Sequence, residues 1–150
     1  VSTQSTGMFQ KPNIKQCRKA FSAIDINQVG TIKLTDLEFV LQQLQMQIRL
    51  DQLQPVLKYF QMKNTISFDS FCHLVYFLLN SSTSLNKNLF LLADKQFHEQ
   101  ISNKQLLDFY QINGVELSED QHQKICQQVS DEHGFICFDE FVKMINQCSE

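Results

Sequence analysis

Oxygen-bearing side chains recur at fixed intervals in a short stretch near the start of the chain, DINQVGTIKLTD, from Asp25 to Asp36. A calcium-binding loop supplies oxygens from its positions 1, 3, 5, 7, 9 and 12 and has a glycine at position 6, where the chain turns sharply. Asp25, Asn27 and Asp36 fill positions 1, 3 and 12. Gly30 stands at position 6, and Thr31 offers its backbone carbonyl at position 7. The oxygen-bearing residues are the candidate ligands of a first cation site.

Three other features of this loop weaken the site. Val29 has no side-chain oxygen for position 5, and Lys33 brings a positive charge to position 9. Asp36 is shorter than the glutamate that usually binds through both oxygens at position 12, which favours a small octahedral ion such as Mg²⁺. We therefore expect a closed structural turn. One weakly bound Ca²⁺ or Mg²⁺ is the alternative.

A second loop of the same length, Val129 to Glu140, keeps fewer ligands. Asp131 stands at position 3 and Glu140 at position 12, but Val129 supplies no oxygen at position 1. His133 and Cys137 bring nitrogen and sulfur to a site built for oxygen. Weak cation binding through Asp131 and Glu140 is again the alternative to a purely structural loop.

Two further stretches at the same spacing, residues 59–70 and 94–105, lack most of the ligands. The first has no acid at either end. The second keeps Asp94 at position 1, but Glu99 replaces the turn glycine and Gln105 takes the last position. Neither stretch is expected to bind a metal ion.

These loops belong to a repeated unit, which is marked by Ile32, Ile66, Ile101 and Ile136. The isoleucines are 34, 35 and 35 residues apart, and a constant period indicates one unit repeated four times. Apolar residues at helical spacing flank each loop, as in CRKAFSAI and LEFVLQQL around the first. Ser102 and Ser118, each followed three residues later by glutamine, add capping boxes that mark helix starts. The sequence therefore predicts an all-α fold of four helix-loop-helix units.

The segments GTIKLTDLEF, ISFDSF and GFICFDEF resemble the EF-hand. The four-unit layout over residues 14–147 resembles the calmodulin and myosin-light-chain superfamily. This resemblance implies that the loops pair within two lobes through short antiparallel β-bridges. Ile32 would lie opposite Ile66 in one lobe, and Ile101 opposite Ile136 in the other.

Composition divides the chain into four parts. Residues 1–13 are polar and are expected to form a flexible lead-in. Residues 14–79 and 87–150 are the predicted N-terminal and C-terminal EF-hand pairs, and residues 80–86, rich in serine and asparagine, are the predicted linker. Because the chain begins with Val1, it is also consistent with a piece of a longer protein.

Charge, cysteine content and hydropathy exclude several classes of function. The net charge is −3, with acidic and basic residues interspersed, which argues against nucleic-acid binding. Five cysteines without a CxxC pair indicate reduced thiols and a cytoplasmic location, with cytoskeletal association as an expectation. The longest apolar run, residues 73–80, is too short for membrane insertion. No phosphate-binding glycine loop or nucleophile motif is present, so an enzyme is not expected.

Zinc is a further alternative. His122 with Cys126, and His133 with Cys137, are each spaced four residues apart, and both residue types bind zinc. The first pair lies on a predicted helix, where this spacing gives a common face. We favour the simpler interpretation, in which the cysteines are small buried groups and the histidines are surface residues.

The family resemblance implies a protein-binding role, because EF-hand lobes hold an amphipathic helix in an apolar groove. The chain has 13 phenylalanines but only four methionines, whereas a promiscuous sensor uses a methionine-rich groove. We therefore expect a non-catalytic, light-chain-like or adaptor module that binds a helical segment of a dedicated partner, largely without calcium. The expected groove residues are Phe39, Leu41, Leu44, Met46, Phe71, Phe109, Phe141 and Met144.

Two other functions stay open at this point. One is a calcium or magnesium sensor in which loop 25–36 or loop 129–140 binds the ion and opens its lobe. The other is a regulatory EF-hand domain of a larger enzyme or cytoskeletal protein. No cofactor is predicted with certainty in any of these cases.

Overall fold

The computed structural model describes residues 9–60, 64–81, 85–112 and 114–148. Within these residues the chain is mostly helical, with eight α-helices and four short strands that form two small antiparallel sheets. The described chain divides into two compact units. The first unit is Lys11–Leu78, and the second joins Phe9 and Gln10 to the chain from Leu79 onwards.

The first unit contains two helix-strand-helix segments in sequence. Its elements are α1 (Ile14–Ile24), β1 (Thr31–Lys33), a 3-10 turn (Leu34–Asp36), α2 (Leu37–Gln43), α3 (Leu50–Tyr59), β2 (Thr65–Ser67) and α4 (Phe68–Asn80), whose last two residues belong to the second unit. Strand β1 pairs antiparallel with β2, and Ile32 lies opposite Ile66. Both isoleucines are buried. The predicted pairing of the first two loops is therefore confirmed.

The second unit repeats this arrangement. Its elements are α5 (Leu85–Ala93), β3 (Gln100–Ser102), α6 (Asn103–Ile112), α7 (Glu119–Val129), β4 (Phe135–Cys137) and α8 (Phe138–Cys148). Strand β3 pairs antiparallel with β4, and Ile101 lies opposite Ile136, as predicted. In each unit the paired strands join the two loops at one buried isoleucine pair.

Side-chain caps fix where several helices begin. The Ser118 hydroxyl accepts the backbone N–H of Gln121, and the Gln121 side chain accepts the N–H of Ser118. Ser102 and Gln105 make the same reciprocal pair. Both predicted capping boxes are confirmed, and each satisfies two backbone donors that the first helical turn leaves without an intrahelical partner.

Each unit buries the apolar faces of its helices in its own core. Helix α1 buries Cys17, Ala20 and Phe21, three of the residues that its spacing places on one face. The Phe21 ring lies 5.8 Å from that of Phe71 in α4. In the second unit the Phe141 ring lies 5.4 Å from that of Phe90 and 5.5 Å from that of Phe109.

The structure differs from the predicted lead-in at residues 9 and 10, while residues 1–8 lie outside the described chain. Phe9 is only 5% exposed, and both polar groups of the Gln10 backbone are hydrogen-bonded to Asn80. The two helices also extend into the predicted linker, 80–86, because α4 continues to Asn80 and α5 begins at Leu85.

Candidate functional site

The first candidate loop is closed by its own aspartate. Six residues, 25–30, separate α1 from β1. The Asp25 carboxylate accepts the backbone N–H groups of Val29 at 3.0 Å and Gly30 at 2.9 Å. Gln28 and Gly30 have left-handed backbones, with φ of 54° and 89°. Such a backbone is unfavourable for most side chains, which explains the glycine at this position.

The loop at residues 94–99 has the same geometry. Its Asp94 carboxylate accepts the N–H groups of His98 at 3.1 Å and Glu99 at 2.9 Å. Phe97 and Glu99 are left-handed, each with a φ of 61°. Asp94 itself is fully buried, with 0% exposure. The loop therefore has the same backbone turn as the first loop, although a glutamate stands where the first loop has its glycine.

From the sequence, this third loop was not expected to bind a metal ion, and its likeness in backbone to the first loop was not predicted. The available signal was Asp94, which precedes Ile101 by the same seven residues that separate Asp25 from Ile32. A glutamate in the left-handed region hides the relationship, because only glycine and asparagine commonly adopt that backbone.

The fourth loop is shorter and closes differently. Five residues, 130–134, separate α7 from β4. One carboxylate oxygen of Asp131 accepts the N–H groups of His133 at 2.8 Å and Phe135 at 3.0 Å. Hydrogen bonds from the backbones of Phe135 and His133 hold the pKa of Asp131 below its usual value. Asp131 therefore acts as an ionised cap of its own turn.

The remaining predicted ligands do not complete either site. In the first loop, Asn27 is exposed, Thr31 lies in β1, and Asp36 ends the 3-10 turn, half-buried. In the fourth loop, the Glu140 carboxylate lies in the first turn of α8, 3.4 Å from the Lys143 ammonium.

Neither donor set makes up the six to eight oxygens that calcium requires. Val29 presents an exposed apolar side chain at position 5, and Lys33 carries an ammonium at position 9. Across the described ranges, no three acidic, histidine or cysteine side chains are grouped as metal ligands. The residues of these loops therefore do not fit a full calcium shell.

The predicted groove residues are mostly core residues. Five of them are buried in the two units, namely Leu41, Phe71, Phe109, Phe141 and Met144. Leu44 and Met46 are half-buried, and Phe39 on α2 is 58% exposed. The helices of each unit pack the faces that carry the five buried residues against one another. Within the second unit, Tyr110 Oη donates to Met144 Sδ at 3.3 Å.

The first of the two pairs considered for zinc, His122 and Cys126, is in contact on α7. His122 Nε2 lies 3.4 Å from Cys126 Sγ and 2.9 Å from the backbone oxygen of Asn103. Burial raises the pKa of the Cys126 thiol, so it stays protonated. His133 instead contacts Glu132, at 3.4 Å. Since no third ligand joins either pair in the described part of the chain, the structure gives no zinc geometry.

An aromatic contact in the second unit was not predicted from the sequence. The Phe9 ring lies 5.9 Å from that of Phe90 and 5.7 Å from that of Phe138, the latter edge-on at 84°. The Lys87 ammonium lies 5.5 Å from the Phe9 ring centroid. These distances are typical of aromatic pairs and of a cation above a ring. The Phe9 ring therefore contacts Phe90, Phe138 and Lys87.

The residue after Phe9 is held through its backbone. The Gln10 N–H donates to Asn80 Oδ1 at 2.7 Å, and the Gln10 carbonyl accepts from Asn80 Nδ2 at 2.7 Å. The signal in the sequence was an amide residue, Asn80, at the end of an otherwise apolar helical run. We call Asn80, Lys87, Phe90 and Phe138 the Phe9 site.

Within the described residues, no helix has both the length and the apolar character needed to cross a membrane.

No protein-family model matches the sequence, and no curated protein matches it either. Chains of solved structures do match. One of them is described as "Chaetomium theromophilum TREX2 CID domain complex", is 16% identical, covers 91% of this chain and 96% of its own, and has a TM-score of 0.37.

Proposed function

We propose that this chain is a non-catalytic protein-interaction module built from four EF-hand-like units, which acts in the cytoplasm and binds a dedicated partner without needing calcium. The observation that carries the proposal is that the Asp25 and Asp94 carboxylates each accept two N–H groups of their own loop. These bonds keep the loops closed through the protein's own atoms. A bound cation is then not needed to hold these two loops in their closed shape.

The pairing of the loops supports the EF-hand part of the proposal. Two helix-loop-helix segments joined by an antiparallel bridge at one isoleucine pair recur in both units, at Ile32–Ile66 and Ile101–Ile136. This is the arrangement that the family resemblance implies. The division into four helix-loop-helix segments and their assignment to the EF-hand family are part of the proposal.

The partner is proposed to present an amphipathic helix. Exposed apolar side chains are available to it on the first unit, where Phe39 and Ile14 are 58% and 47% exposed on α2 and α1. Exposed aromatic residues contribute strongly to protein interfaces, because they bury a large area at a low cost in side-chain entropy. Phe39 is therefore the best-placed contact residue among those predicted for the groove.

The experiment is a pull-down with the tagged full chain, in parallel with chelator and with millimolar calcium, followed by mass spectrometry of the recovered proteins. We expect the same partner in both arms, and a loss of at least tenfold with Phe39→Ala. Gln43→Ala, at an exposed position of the same helix, is the matched control and should keep the partner. Recovery in the calcium arm alone would contradict the proposal and favour a sensor.

A sensor that uses loop 25–36 is the second candidate. The left-handed turn at Gly30 and the oxygens of Asp25, Asn27 and Asp36 favour it, because these features of a cation loop are intact. A small octahedral ion would suit the short Asp36 better than calcium. The ion titration that ends the Discussion distinguishes the two candidates.

A further inference from the structure

We propose that the Phe9 site of the second unit is a recognition site for an extended peptide, and that Phe9 and Gln10 fill it as an internal competitor. The ligand is a protein segment with an aromatic residue followed by any residue except proline. The inference goes beyond the proposed function, because its ligand is an extended peptide on the second unit rather than an amphipathic helix on the first.

The ring pocket selects an aromatic side chain. Phe90 and Phe138 are 5.2 Å apart, inclined at 74°, and Phe9 packs against both rings. Lys87 adds a positive charge 5.5 Å from the centroid of the bound ring. Such a charge is attracted to the face of an aromatic ring but gains nothing from an aliphatic side chain. The pocket should therefore prefer phenylalanine, tyrosine or tryptophan to leucine.

The side-chain amide of Asn80 binds the backbone of the residue that follows the docked ring. Its oxygen and its nitrogen bind the N–H and the carbonyl of the same residue, Gln10, both at 2.7 Å. Asn80 is itself only 8% exposed, so these bonds are partly shielded from water. Gln10 is exposed, which means that the site does not select this side chain. Proline is excluded because it has no N–H to donate.

The described contacts of the docked segment with the site are those of the Phe9 ring and of the backbone N–H and carbonyl of Gln10. Lys11, the next residue, is exposed and belongs to the other unit. A peptide from another protein could make the same contacts. The internal segment competes at a high effective concentration because it is tethered, and it lowers the apparent affinity for any free peptide. Removing the Phe9 ring should therefore strengthen the binding of a free peptide.

The probe is a fluorescein-labelled peptide of residues 5–13, STGMFQKPN, and the readout is fluorescence anisotropy with the full chain. We expect saturable binding to the Phe9→Ala chain, at least tenfold tighter than to the wild-type chain. A probe with alanine in place of its phenylalanine, and a probe with proline in place of its glutamine, should each bind at least tenfold more weakly. The Gln43→Ala chain, altered at an exposed position of the other unit, should bind like the wild type.

The Asn80 contact has its own variant, made in the Phe9→Ala background. Asn80→Leu should weaken probe binding at least tenfold, because leucine is similar in size but cannot bind a peptide group. Asn64→Leu, at an exposed position of the other unit, is the matched control and should leave binding unchanged.

Equal probe binding by the wild-type and Phe9→Ala chains would overturn the proposal, as would equal binding of the phenylalanine and alanine probes. If Phe9→Ala does not fold, amide hydrogen exchange of the wild-type chain replaces it. Excess unlabelled probe should then release the protection of the Gln10 N–H, and unchanged protection would overturn the proposal. No cellular partner is used, so a failed pull-down and a failed probe experiment are separate results.

Discussion

Replacing Asp94 by alanine is expected to destabilise the second unit by about 2–4 kcal/mol, because two backbone donors lose the acceptor that a fully buried side chain supplies. The carboxylate is fully buried and accepts the N–H groups of His98 and Glu99. Without it, the left-handed turn at Glu99 also loses the bond that holds it. The measurement is urea unfolding followed by circular dichroism.

Asp25→Ala is the matched control, since Asp25 makes the same two bonds in the first loop. Asp25 is half-buried and the two amides lie in an exposed part of the loop, so water can replace the lost acceptor. We expect a loss of about 1 kcal/mol. Equal losses for the two variants would mean that burial does not set the strength of these bonds, and would contradict this explanation of the third loop.

Phe141→Ala is the second large effect, with an expected loss of about 3–5 kcal/mol from the free energy of unfolding. Phe141 is fully buried and its ring packs between those of Phe90 and Phe109, at 5.4 and 5.5 Å. Alanine would leave a cavity that helices on several sides cannot all close. Urea unfolding measures the loss.

The control for this variant is Phe39→Ala, because the Phe39 side chain is already largely exposed. Its expected loss is within about 0.5 kcal/mol. A small loss for Phe141→Ala, similar to that of the control, would indicate that Phe141 lines an open groove. That result would contradict the packing of Phe141 between Phe90 and Phe109.

The elements that follow from local sequence patterns were predicted well. The spacing of the isoleucines located the repeated loops, and the resemblance to the EF-hand implied the register of both bridges, which the structure has. The capping boxes at Ser102 and Ser118 were predicted because a cap involves residues only three positions apart. Local chemistry is visible in a single sequence.

Groove and core residues could not be separated in this way. Phe39 and Phe71 both stand at helical spacing among apolar residues, yet one is 58% exposed and the other is fully buried. Which apolar residue of a helix faces another helix depends on how the helices pack, and no periodicity within one helix encodes it.

The Phe9 site was missed for a different reason. Its hydrogen bonds join residues 70 positions apart, and the residues around Phe9 are polar, which indicates a lead-in rather than a packed segment. The turn at Glu99 was missed because its left-handed backbone is held by Asp94, five residues earlier, rather than by the properties of glutamate. Contacts of both kinds become visible only in the folded chain.

The most direct test of metal-independent folding is a calcium titration, then a magnesium titration, of the full chain followed by amide NMR. The signals to monitor are those of Gly30 and Gly134, which occupy the left-handed turns of the first and fourth loops. We predict no saturable shift of either signal up to millimolar ion, because each loop is closed by its own aspartate. A large saturable shift at micromolar calcium would contradict this account and would identify the loop that works as a sensor.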